Sequence, residues 1–157
     1  MDFLTGFIEH LRQDAEIEAE IVVTDGVCSL SFDNEFAVTI EEDAEGGRLR
    51  FFASLGQVPA SPAPDIGVRL LHANLFWRGT AGATFGVDFT TRLIVMAQDV
   101  RIDLLDRERF QDFLEDFVNR TEDWRQEIAG WLEETKDEEP SRGPATMPFQ
   151  RDGMIRT

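Results

Sequence analysis

Few residues in this chain have both the type and the spacing to do chemistry. His10 and His72 each stand alone in a helical pattern, with no second His or Cys at the three- or four-residue spacing a metal ion needs. Cys28 is the one cysteine, so no internal disulfide can form. It sits in an alternating apolar run without a nearby basic group to lower its pKa, which points to a core thiol rather than a nucleophile. Gly79-Thr80-Ala81-Gly82-Ala83-Thr84-Phe85-Gly86 has glycines spaced like a phosphate loop. It follows a helix pattern and precedes a strand pattern, the reverse of the required order, and lacks the Lys-Ser/Thr pair, so it reads as a backbone turn. Carboxylates are plentiful but fall on helix faces and in loops, where nothing in the spacing makes a pair converge. The expectation is no catalytic residue, no metal site and no cofactor.

Charge narrows the partners. The 157 residues carry a net charge of −16, a field that repels phosphate backbones and anionic lipid alike. Nucleic acid and membrane surfaces are therefore not expected partners. No apolar run approaches membrane-spanning length, no basic-then-apolar leader is visible at Met1-Asp2-Phe3, and the single cysteine suits a reducing cytoplasm. Apolar residues make up 42%, with thirteen Phe and no Tyr, which suggests a globular domain with dry aromatic packing.

The elements that must position these residues are legible from periodicity. Phe3, Leu4, Phe7, Ile8 and Leu11 make an apolar stripe, so a helix is expected over 2–14. Its apolar side is rich for its length: it either packs wholly on a sheet or forms one wall of a groove. Ile17, Ala19, Ile21 and Val23 alternate with acidic residues in an extended segment. Cys28, Leu30 and Phe32, then Phe36, Val38 and Ile40, then Leu49, Phe51, Ala53 and Leu55 describe three strands of an antiparallel meander. Turns are expected at Asp33-Asn34-Glu35 and over Glu42 to Gly47. Gln57 to Pro64 is a proline-rich connector.

A helix then runs over 65–78, with Asp65 as its cap and Gly79 as its left-handed stop. Its apolar side carries Ile66, Leu70, Leu71, Asn74, Leu75 and Phe76. Two strands follow, around a turn at Phe89 to Thr91. The second of them, Arg92 to Val100, is apolar on both faces: Leu93, Val95 and Ala97 on one, Ile94 and Met96 on the other. That calls for cover on both sides, and a second copy of the chain is one source of it. Asp106 caps a last helix over 106–135, striped by Phe110, Phe113, Phe117, Thr121, Trp124, Ile128 and Trp131, with Leu114, Val118 and Leu132 beside the stripe. The result is an α+β domain over 1–135, ordered α-β-β-β-α-β-β-α, with an antiparallel sheet packed by helices, followed by a flexible tail over 136–157 whose arginines contrast with the acidic body.

Leu70-Leu71-His72-Ala73-Asn74-Leu75-Phe76 with Gly79-Thr80-Ala81-Gly82-Ala83-Thr84 resembles the central block of the type III secretion chaperones of the CesT (Tir chaperone) family. Leu114-Glu115-Asp116-Phe117-Val118-Asn119, with Trp124 after it, resembles the end of the same pattern. The resemblance implies a cytoplasmic bacterial homodimer without enzyme activity. It also implies binding of the N-terminal segment of an effector protein, which is kept soluble and competent for secretion. The client segment would lie on Phe3, Phe7, Ile8 and Leu11, with Cys28, Leu30, Phe32, Val38 and Phe51 as adjoining candidates, some of them plain core. The dimer seam would use Leu71, Leu75, Phe76, Leu93 and Val95. Two other classes stay open at this point: a regulatory adaptor of the secretion apparatus, and a small carboxylate-based enzyme.

Overall fold

The computed structural model describes residues 3–13, 18–43, 45–60 and 64–137. One six-stranded antiparallel sheet runs β1-β2-β3-β4-β6-β5 across its width. The strands are β1 (Glu20–Thr24), β2 (Val27–Phe32), β3 (Phe36–Asp43), β4 (Arg48–Gln57), β5 (Thr84–Val87) and β6 (Leu93–Arg101). Three helices complete the fold: α1 (Phe3–Leu11), α2 (Pro64–Asn74) and α3 (Arg107–Asp137). The sheet has one strand more than expected. The acidic extended segment pairs with β2 through Glu20↔Ser31 to Thr24↔Val27 and becomes an edge strand. It was expected as an extended segment outside the meander, and its exposed Glu18 and Glu20 face water, where they discourage further pairing.

Period-two alternation puts Leu49, Phe51, Ala53 and Leu55 of β4 on one face of the sheet, all buried. Across the ladders they share that face with Val38 and Ile40 of β3 and Met96 of β6. Long helix α3 lies over it. Phe51 meets Phe113 edge-on at 4.7 Å and tilts against Phe110 and Phe117 at 5.9 and 5.8 Å. Such aromatic pairs contribute beyond their buried area. Asp106 caps α3 as expected, its Oδ1 accepting from the Arg109 amide at 2.9 Å. At the other end of the sheet, Phe85 of β5 packs edge-on against Trp124 of α3 at 4.8 Å.

Several boundaries move. α2 begins at Pro64, which suits a first helical position, so Asp65 lies inside the first turn rather than capping it. The helix also stops at Asn74, short of Arg78, and Leu75–Trp77 form a 3-10 turn. The left-handed residues are Phe76 (φ 57°) and Trp77 (φ 52°), not Gly79. Asn74 explains the early stop: its side chain pairs with an edge strand, Nδ2 donating to Phe85 O at 3.0 Å while Phe85 N donates to Oδ1 at 2.8 Å. β3 extends through Asp43, which shortens the second hairpin loop. β6 starts at Leu93, because Arg92 takes φ 62° and its guanidinium holds the carbonyls of Val58 and Pro59 in the connector. The glycine-rich segment is a backbone turn. Arg120 Nη1 of α3 donates to Thr80 O (2.7 Å), Ala81 O (3.2 Å) and Gln98 Oε1 (3.0 Å). Gly82 has φ 94°, a left-handed conformation that strains any residue with a Cβ, which favours glycine there. Met1, Asp2, Asp14, Ile17, Ser61-Pro62-Ala63 and the tail from residue 138 lie outside the described residues.

Candidate functional site

A trough runs along the first half of α3. Its upper part lies between α1 and α3. Phe7 stacks on Phe110, with centroids 4.5 Å apart and planes within 5°. The pair floors a cavity of about 390 Å³ whose rim carries His10, Arg107 and Gln111. Arg107 Nη2 lies 2.8 Å from His10 Nε2, which places the guanidinium at the mouth. Further along α3, a second cavity of about 360 Å³ is lined by Phe32, Leu114 and Val118, with Glu18, Asp33 and Glu115 around it. Gln111 lines both, so the two cavities are neighbours along α3, and together they are called the trough. Glu18 leads directly into β1, whose only strand partner among the described residues is β2. Its outer edge has no strand partner among the described residues, and of its backbone groups the Ile21 carbonyl accepts from Arg12 Nη2 at 3.5 Å.

This geometry redistributes the expected contact residues. Phe3 is 61% exposed, and Phe7 and Phe32 are half-buried in the trough wall. Ile8 faces inward and is buried, whereas Leu11, as buried as Leu114, lines the first cavity beside Phe7 and Phe110. Cys28, Leu30, Val38 and Phe51 have no exposed surface at all and belong to the core under α1 and α3. Burial pushes the Cys28 thiol up to about 11, with Arg12 pulling weakly the other way. The walls that sequence reasoning missed are Phe110, Gln111, Leu114 and Val118 of α3, together with Arg107. Val118 lies beside the aromatic stripe and is half-buried, an offset the sequence shows, whereas Phe110 and Leu114 are as buried as the core and carry no such signal.

A second apolar surface lies on α2 and the turn after it. Leu71 and Phe76 are each 70% exposed and Leu75 is 53% exposed, with Val68 and Trp77 similarly open. Leu93 and Val95 are half-buried on the sheet face opposite α3. Among the described residues, no group of three or more His, Cys, Asp or Glu could hold a metal ion. No described helix is long and apolar enough to cross a membrane.

The model of the Tir chaperone protein (CesT) family matches residues 6–125. The chain belongs to the CesT family. Solved structures share its fold. A chain in the HopA1–SchA chaperone–effector complex is 22% identical with a TM-score of 0.62, covering 79% of this chain and 94% of that one. A chain in the ExsC–ExsE complex is 21% identical with a TM-score of 0.66, covering 78% of this chain and 91% of that one. The structure of the Yersinia pestis type III secretion chaperone SycH with a stable fragment of YscM2 contains a chain that is 17% identical with a TM-score of 0.53, covering 76% and 93%. No curated protein matches in sequence. Within the CesT fold as it stands here, the trough joins α1, the β2–β3 turn and α3, while the α2 surface is separate from it.

Proposed function

We propose that this chain is a cytoplasmic, homodimeric type III secretion chaperone, without catalytic activity, that binds the N-terminal segment of an effector protein. The observation that carries the reading is the trough beside the edge strand β1, in a chain of the CesT family. The related fold occurs in a complex of chaperone with effector. An extended client would set apolar side chains in the two cavities and add backbone pairing along β1.

The energetics favour using both features. Each well-buried anchor contributes about 1.5–3 kcal/mol. Ordering a disordered client costs about 2–5 kcal/mol or more. Two anchors therefore roughly offset that cost, and net affinity needs the strand pairing or a third anchor, for which exposed Phe3 is placed. The client contacts in this reading are Phe3, Phe7 and Phe32 with Phe110, Leu114 and Val118. The dimer seam is Leu71, Leu75 and Phe76, extended by Leu93 and Val95. Five open side chains on α2 and its turn amount to on the order of 500 Å² of apolar surface, near the upper end for a monomer.

The test is affinity capture with tagged chain from the cytoplasm of the native bacterium, comparing wild type with Phe3→Asp. Wild type should retain one or a few proteins through their N-terminal segments, and Phe3→Asp should retain at least ten-fold less while remaining dimeric. Equal capture by the two, or capture that does not depend on the partner's N-terminal segment, would remove the trough from the function.

A further inference from the structure

The trough is not electrically uniform. α3 supplies its axis, and charge changes sign along it. At the α1 end the mouth carries Arg107, held beside His10. The charged residues that line the second cavity are carboxylates, Glu18, Asp33 and Glu115, while Arg12 lies beyond it on the Ile21 carbonyl of β1. The chain as a whole is strongly acidic, so an arginine at one end is a local inversion of the prevailing field. Both ends are open to solvent, and Arg107 and Glu115 are exposed and available to a ligand's charges.

Helix geometry sets the scale. Arg107 and Glu115 are eight residues apart on α3, about 12 Å along its axis at 1.5 Å per residue. An extended chain covers that in about four residues at roughly 3.3 Å each. Phe110 in the first cavity and Leu114 in the second are four residues apart on α3, about 6 Å by the same measure, or about two residues of extended chain. In an extended chain, residues i and i+2 point to the same side. One segment can thus fill both cavities with alternate side chains, while the residues just outside the anchors leave the strand on its other side and reach the two exposed rims through long, flexible charged side chains.

Building on the client-binding reading, we infer that the trough selects an extended segment with a bipolar pattern: an acidic residue, an apolar residue, any residue, an apolar residue, then a basic residue. The acidic residue meets Arg107 and the basic residue meets Glu115, Asp33 and Glu18. Charge grading then fixes which anchor enters which cavity, a choice the apolar linings alone leave nearly degenerate. Complementary charge at a rim acts mainly through register and discrimination against wrong partners.

The probes are fluorescein-labelled peptides of about twelve residues built around Glu-Phe-Ser-Leu-Lys, made in both chain directions, with Lys-Phe-Ser-Leu-Lys and Glu-Phe-Ser-Leu-Glu versions. Fluorescence anisotropy at about 0.15 M salt screens the overall field to within about 8 Å. The bipolar peptide, in its better direction, should bind at least about three-fold tighter than either version with two charges of one sign. Arg107→Glu should shift the preference to the two-lysine peptide, and Glu115→Lys to the two-glutamate peptide. Both positions are exposed, so these variants keep the fold. If the two-lysine peptide binds wild type tightest, overall acidity governs and the grading is refuted. An unchanged ranking in both variants refutes it equally. If no peptide binds at all, the trough is not a client site, and the parent reading falls with the inference.

Discussion

Leu75 is the position where the dimer seam can be tested without touching the core. It is 53% exposed in the single chain, so covering it in a seam gains about half of the 1.5–3 kcal/mol for complete burial, roughly 1 kcal/mol. A two-fold interface uses every residue twice, so Leu75→Asp forfeits about 2 kcal/mol per dimer from apolar contact alone. Each new carboxylate must also be desolvated without a partner, or be protonated. Protonating an aspartate at pH 7 costs about 4 kcal/mol, which sets the ceiling, and partial hydration brings the figure to about 2–4 kcal/mol apiece. The total is roughly 6–10 kcal/mol per dimer, or at least about four orders of magnitude in dissociation constant. Leu75→Ala carries only the first term and should weaken the dimer by about thirty-fold. Sedimentation velocity at about 5 μM suits a seam of nanomolar strength, a standard affinity for a specific interface. Wild type and Leu75→Ala should sediment at twice 17.8 kDa, and Leu75→Asp at 17.8 kDa with an unchanged circular dichroism spectrum. Wild type that is monomeric throughout, or Leu75→Asp that remains dimeric, would refute the assignment of this surface.

Three further outcomes follow from the local geometry. Asn74→Ala removes both hydrogen bonds to Phe85; at about 1 kcal/mol each the melting temperature should fall by about 5 °C or more, with β5 amides losing exchange protection first, and no change would mean the pairing is idle. The buried Cys28 thiol, raised to about 11, should react with a maleimide at pH 8 at least about a hundred-fold more slowly in the native protein than in urea, whereas equal rates would place it at the surface. Asp88 accepts from the Thr91 amide, the Thr91 hydroxyl and the Thr90 amide, which hold its carboxyl below its ordinary 3.8. Because the folded value lies below the unfolded one, the stabilisation is complete above about pH 4 and is lost as pH falls through the folded value. Protection of the Thr90 and Thr91 amides should therefore disappear only in acid, and at every pH in Asp88→Ala.

What the sequence made legible depends on range. Repeats of two and of three to four residues report local faces, so the meander and the α3 stripe could be read directly. For β1 the alternation of Ile21 and Val23 reported an extended segment but not its partner, because pairing with β2 is a contact between elements that periodicity does not carry. Asn74 and Arg92 were hidden for another reason. Asn74 looked like one more residue on a helix face, yet its side chain completes a strand ladder eleven residues on. Arg92 looked like the first residue of a strand, yet it turns left-handed and ties down carbonyls thirty-three and thirty-four residues back. The trough shows the same limit. Alternation in β2, β3 and β4 says which side of the sheet a residue faces but nothing about depth, so Cys28, Leu30, Val38 and Phe51 could not be separated from Phe32. Depth is decided by the covering helices. α3 closes over Phe51, while Phe7, from a helix about a hundred residues earlier, meets Phe110 at the rim. The proposed client surface therefore draws on several elements at once, with Phe7 from the α1 stripe, Phe110 from the α3 stripe and Phe32 from the end of β2, and no single periodicity reports their meeting.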